Sequence, residues 1–268
     1  MAIQHALLLI ADISGYTRFM KVHRVNLAHA QDIVARLLEA VIDGAGRRLR
    51  LSKIEGDAAL FYALLPQGEK LDFGDLDRQL AGIRRAFTDR REQMRIDRIC
   101  TCDGCTQVGD LRLKFVVHAG EIGFQRIRGF TEIVGIDVIL VHRMLKNSVP
   151  IGEYVLMTGS VLDHAGEAIR AEAQEIEEDL EGIGVIPLHY ADLDAIAPVP
   201  IEPPAPSRLR ALWDHIMRNV RSVPYVLGLR EPCGAFRHMD EALGRAPALS
   251  DPRRAAALPR APSGDPPP

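Results

Sequence analysis

Two apolar runs, each interrupted by a single acid, constrain this chain more than any other feature. "LLLIADISGYTRF" (residues 7–19) runs through apolar positions to Asp12 and then turns at Ser14-Gly15. "LSKIEGDAALFYALL" (residues 51–65) alternates, turns at Gly56-Asp57 and continues almost unbroken apolar. Short apolar runs bounded by small turn residues are the pattern of buried strands. Each run therefore delivers a carboxylate to a strand end. Adjacent strands lie about 4.8 Å apart, so the two acids meet if their strands are neighbours. Carboxylates that close repel unless a cation joins them, and Mg²⁺ is the usual choice, held by one or two carboxylates and phosphate oxygens. Taken singly, either acid also fits a helix cap or a turn.

The rest of the chain supplies a core for such strands. Hydrophobic residues make up 47% of the 268 and charged residues 26%, enough for one large domain with appendages. A net charge of −3 lacks the basic excess of a general nucleic-acid binder. No apolar run reaches the ~18 residues of a membrane helix, and the start lacks the pattern of a signal peptide. The chain reads as soluble and cytoplasmic.

Along the chain, residues 6–13 read as a strand and 27–45 as a helix, with Ile33, Val34, Leu37, Leu38, Val41 and Ile42 at three- and four-residue spacing. Residues 48–54 and 58–64 read as a hairpin, 73–99 as a long amphipathic helix and 111–118 as a strand. Gly120, Gly123, Gly129 and Gly135 then suggest a hairpin and turns. A helix over 136–146 and strands over 153–157 and 185–190 follow, separated by an acidic stretch, 172–181, read as a solvated face. The expected fold is α+β, a mostly antiparallel sheet with helices packed on one face, in a unit spanning 1–196. A proline-rich linker (197–206), a helical extension carrying Trp213 (207–245) and a tail too poor in apolar residues to order itself (246–268) complete the chain.

Four segments in order resemble the catalytic domain of class III nucleotidyl cyclases: "ADISGYTRF", "KIEGDAALFYA", "LKFVVHAGEIG" and "EIVGIDVILVHRM". The likeness points most closely to an uncharacterised bacterial branch of cyclase-like proteins that shares a cysteine cluster. It implies a ferredoxin-like cyclase fold and a role for each matching position. Asp12 and Asp57, with the carbonyl of Ile13, would hold two Mg²⁺ or Mn²⁺ ions. The Gly15, Tyr16 and Thr17 turn would offer N–H groups to phosphate. Lys53 and Glu132 would read the purine, Lys114 would sit near the phosphates, and Arg143 would steady transition-state charge. The implied reaction is attack of the ribose 3′-hydroxyl of a nucleoside triphosphate on its α-phosphate, giving cyclic AMP from ATP with release of pyrophosphate. In this family the site lies between two domains, so a homodimer is implied, with Asp12 and Asp57 of one subunit facing Lys53, Glu132 and Arg143 of the other.

Three departures from the pattern stand out: Glu132 replaces an aspartate and is one methylene longer, residues 172–190 lack the phosphate-binding lysine of many cyclases, and Ile139 replaces an asparagine. Ile139 stands where active cyclases place an asparagine that orients the ribose, and isoleucine can neither donate nor accept a hydrogen bond. Losing such a contact costs about 2–4 kcal/mol of barrier. The metal half of the pattern is intact and the ribose half is not, which sets a catalytically degenerate nucleotide- or metal-binding signalling module beside the enzyme. Each matching residue also has a plainer reading: Lys53 as the wet face of its strand, Arg143 as the partner of a surface acid, His118 as a hydrogen-bonded structural histidine.

A separate cluster, Cys100, Cys102 and Cys105 in "CTCDGC", gathers three of the four cysteines. Thiolates at that spacing suit zinc with a fourth ligand such as Cys233, a histidine or a residue of another chain. A redox dithiol and three ordinary loop thiols are the alternatives. A zinc or redox sensor is thus a third class of function.

Overall fold

In a computed structural model, the described residues are 3–22, 27–65, 76–97, 107–199 and isolated positions between 209 and 229. Eight strands form one sheet. They are β1 (Ile3–Ser14), β2 (Arg50–Glu55), β3 (Ala58–Leu64), β4 (Arg112–Ile127), β5 (Phe130–Val134), β6 (Tyr154–Thr158), β7 (Gln174–Leu180) and β8 (Gly184–Asp192). The order is β2-β3-β1-β4-β6-β8-β7, with β5 paired to β4. Every pairing is antiparallel except β4 with β6.

Strand β1 lies inside the sheet between β3 and β4, and it is apolar on both faces because both are covered. Leu7, Leu9, Ala11 and Ile13 point into one core and Ala6, Leu8 and Ile10 into the other. The first core is closed by α2 (Leu27–Ala45) and α3 (Leu76–Ile96). Ile33, Val34, Leu37, Leu38 and Val41 form the buried stripe of α2, and Leu80, Ile83 and Phe87 that of α3. At ~1.5–3 kcal/mol for each large side chain, this interface is a principal source of stability. Arg84 of α3 crosses to the sheet, donating to the Leu193 and Ala197 carbonyls at 2.7 Å and to Glu153 at 2.8 Å.

The second core is covered in part by α4 (Ile136–Arg143), whose Val138 and Val141, with the adjoining Met144, are buried there. The two long helices thus share one face, as expected, and the shorter α4 occupies the other. The remaining helices are brief: α1 (Tyr16–Val22), α5 (Gly159–Leu162), α6 (Glu167–Glu172) and α7 (Leu193–Ile196).

Two expectations need correction. Gly120 and Gly123 do not end the fourth strand. β4 runs 16 residues because β1 pairs with it as far as Gly123, where pairing with β5 begins, and ladder bonds hold the backbone where side chains contribute nothing. The acidic stretch is exposed at Glu172, Glu175, Glu177, Asp179 and Glu181, as a solvated face should be, but it is not a connection between strands: it forms β7, an edge strand. Glu178 turns inward and accepts from the Ser148 N–H at 2.6 Å and its hydroxyl at 2.8 Å. Charge on an exposed strand edge discourages pairing with another chain. Cys100, Cys102, Cys105 and Cys233, the linker after 199 and the tail lie outside the described residues.

Candidate functional site

Asp12 lies opposite Ala58 in the β1–β3 ladder, and Asp57 immediately precedes Ala58. The Ile13 N–H donates to the Asp57 carbonyl at 3.2 Å. The turn that presents Asp57 depends on Gly56 at φ +65°, a conformation that costs glycine little and a side-chain-bearing residue more. The two carboxyls therefore reach each other. Burial first, and the Asp12 charge second, push the Asp57 carboxyl up to about 6, with the Asp12 side chain also within hydrogen-bonding contact.

The β1–β4 register places Lys114 directly opposite Asp12. Its Nζ lies 2.9 Å from Asp12 Oδ2, and the lysine side chain is only 18% exposed. Burial opposes the ammonium, but Asp12, Tyr154 and Asp57 together hold its pKa above the ordinary lysine value. Tyr154 is buried on β6 and donates to Asn147 Oδ1 at 2.8 Å. Tyr16 also faces the cluster: burial and the Asp57 charge push its phenol up. Five groups from the first strand, the first helix, the β2–β3 turn and strands β4 and β6 thus converge on one end of the sheet.

The donor set suits a hard divalent cation. Burial first and the Asp12 charge second make the Asp57 carboxyl resist ionising, and a divalent cation would relieve that second, repulsive part. Among the described residues no group of three or more His, Cys, Asp or Glu side chains could hold a metal. A cation here would keep water or ligand oxygens in its remaining positions.

The other expected site residues stand outside this cluster's contacts. Lys53 pairs with Glu55 at 2.5 Å, and Glu55 lies 3.4 Å from His142 Nδ1, linking β2 to α4. Arg143 pairs with Glu181 of the β7–β8 turn at 2.5 Å. Glu132 is exposed on β5 opposite Gln125, and Thr17 is exposed on α1. Gly15 stands at φ +90°, its carbonyl accepting from the Phe19 N–H at 2.9 Å. Ile139, 50% exposed, shares one face of α4 with Ile136, 65% exposed, and Arg143, at spacings of three and four.

His118 is buried. Its Nδ1 lies 3.0 Å from Thr158 Oγ1 and its Nε2 3.0 Å from Asp137 Oδ1. Asp137 also accepts from the Glu121 N–H at 2.6 Å, tying the start of α4 to β4. The reading of His118 as hydrogen-bonded and structural matches these contacts. Sequence reasoning did not single out Asp137; an acid in the first turn of a helix was the only local signal. Tyr154 and the ion pair of Lys114 were missed too, because nothing local marks a cross-strand partner.

The sheet order and helix placement define the fold as that of the class III nucleotidyl cyclase catalytic domain. It resembles a class III adenylyl cyclase-like ATP-binding protein from Pseudomonas aeruginosa, with a TM-score of 0.50 and 20% identity over 63% of this chain and 36% of that one. The adenylyl cyclase CyaB of the same species aligns with a TM-score of 0.49 and 13% identity, over 71% of this chain and 94% of that one. The profile of a family described as a protein of unknown function, DUF2652, matches residues 34–154. An uncharacterised protein of Mycobacterium tuberculosis, Rv2561/Rv2562, is 40% identical over 215 residues, covering 80% of this chain and 99% of that protein. The chain belongs to the family of that mycobacterial protein. No helix among the described residues is long and apolar enough to cross a membrane.

Proposed function

We propose that this protein binds ATP together with Mg²⁺ or Mn²⁺ at the Asp12–Asp57 pair, in a cleft between two copies of the chain, and that cyclisation to cyclic AMP and pyrophosphate is the reaction the arrangement serves. The observation that carries this reading is the meeting of two carboxylates from separate strands, 45 residues apart in the chain by their numbering. When bound, the cations would supply activation of the attacking hydroxyl and charge neutralisation on the phosphates.

The chain's own residues have separable tasks. Asp12 and Asp57 anchor the cation. Lys114, already drawn to that anionic end, supplies positive charge to phosphate oxygens. Lys53, Glu132 and Arg143 act from the partner copy, Lys53 and Glu132 on the base and Arg143 on the charge that develops at the phosphate. Exposed apolar side chains support the pairing of copies. Leu51 and Ile54 on β2, Ile136 and Ile139 on α4, and Phe130, 76% exposed on β5, offer area that a second chain would bury.

The second reading is binding without turnover, and Ile139 favours it. An exposed isoleucine on the face that carries Arg143 offers the ribose no hydrogen bond, and positioning is where the rate of phosphoryl transfer is made.

Purified protein with Mn²⁺ and ATP, assayed for cyclic AMP and pyrophosphate and in parallel for bound nucleotide, separates the two. Product that falls at least a hundredfold in Asp57→Ala, about the size of one lost positioning or charge-stabilising group, supports the enzyme. Bound nucleotide without product supports the second reading. Neither product nor binding sinks both.

A further inference from the structure

Lys114 belongs to the same site, and the role assigned to it rests on the reading of Asp12 and Asp57 as cation ligands. The ammonium of Lys114 stands 2.9 Å from the Asp12 carboxylate, on the strand directly opposite. Both side chains are largely shielded, 18% and 15% exposed. A positive charge is therefore already seated where a divalent cation would bind. Two cations sharing one carboxylate sit about 4 Å apart and repel strongly in a partly dry site.

Lys114 cannot simply withdraw. Its Cα is fixed within the central strand β4, and its neighbours on that face include the buried residues Val116, Tyr154 and Leu156. An ammonium pushed among them without a partner pays the full cost of desolvation. It needs another anion. Its stem is flexible and carries three donors, so phosphate oxygens brought to the same end of the sheet could receive it.

We propose that Lys114 is the resident counter-ion of the cation-binding carboxylates and releases Asp12 only to a polyphosphate, so that cation and nucleotide enter together and either alone binds poorly. Lys114 then selects for a metal–polyphosphate complex over the free metal. By linkage, the factor by which nucleotide improves cation binding equals the factor by which cation improves nucleotide binding.

The test is Mn²⁺ binding to the full chain, followed by the electron paramagnetic resonance signal of free Mn²⁺. It is run with and without the analogue α,β-methylene-ATP, whose bridging carbon blocks the proposed cyclisation, after correction for chelation in solution. Lys114→Met and Lys114→Gln both remove the charge, and thermal melts followed by circular dichroism confirm that each is folded. The wild type is expected to bind Mn²⁺ weakly alone and roughly tenfold more tightly with the analogue, within the usual range of coupling between ligands. Either variant should bind free Mn²⁺ about tenfold more tightly than the wild type, with most of the coupling gone. Wild-type coupling that persists in the folded variants overturns the proposal and leaves the cation site standing. So does loss of Mn²⁺ binding in both variants while the wild type retains it. A wild type that takes up no Mn²⁺ with or without the analogue overturns both.

Discussion

Asp57 is held against its own preference for charge. Its carboxyl titrates ordinarily near 3.8, and burial with the Asp12 charge pushes it up to about 6. The folded chain therefore keeps this proton longer than the unfolded chain does. Between those values unfolding releases the proton, so stability contributed at low pH is lost as pH rises through the window and is absent at pH 7. Asp57 is only half-buried, and solvent screening reduces the effect to about 1 kcal/mol. Asp57→Asn is expected to raise the melting temperature at pH 7.5 by about 2–4 °C, with the gain shrinking toward pH 4. Calorimetry at the two pH values checks this, and identical melts at pH 7.5 would contradict it. The two acids were visible in the sequence because each ends or opens an apolar run. Their neighbour Lys114 was visible only as a position in a resembling motif, and the carboxylate it pairs with was not. That pairing depends on the β1–β4 register, set between residues about a hundred positions apart.

At the scale of elements, the α2–α3 packing rests on one close approach. A Cβ on Gly44 would stand 2.8 Å from Ile83 Cα and 3.0 Å from Ala86 Cβ. Neither is a flexible side-chain end, so the helices would have to separate. Gly44→Ala is expected to destabilise by about 1–3 kcal/mol, the usual cost of overpacking, measured as a lower midpoint in urea. Helix propensity alone argues the opposite sign, so the experiment decides between local preference and tertiary contact. The same competition explains which elements were legible. The helix over 27–45 and the strand over 58–64 match their boundaries because period and burial agree there. In β4 the glycines argue for a break, and pairing on both sides overrides them. In β7 the acids argue against burial, and only the inward-facing Ile176, Glu178 and Leu180 reveal a strand.

For the whole molecule, the proposed division of roles between two copies has a direct consequence. A chain carrying Asp57→Ala and a chain carrying Arg143→Ala would each be inactive alone. Mixed and allowed to exchange, half of the dimers would be mixed pairs, each with one complete site of two. Activity is expected to return to about a quarter of the wild-type level, as two-fold symmetry with shared sites requires. No recovery, in a mixture shown by sedimentation to contain dimers, would place all these residues in one chain's site. The sequence by itself determined that apolar strands run over 6–13 and 58–64 and that they deliver acids, since an apolar run needs a core and a charge does not enter one unaided. Only the tertiary structure decided that the acids touch, that Lys114 pairs with Asp12 across the ladder, and that α4 lies on the face opposite the long helices. Those facts depend on strand order and register, which arise from contacts distant in the chain and leave no mark on any local stretch of it.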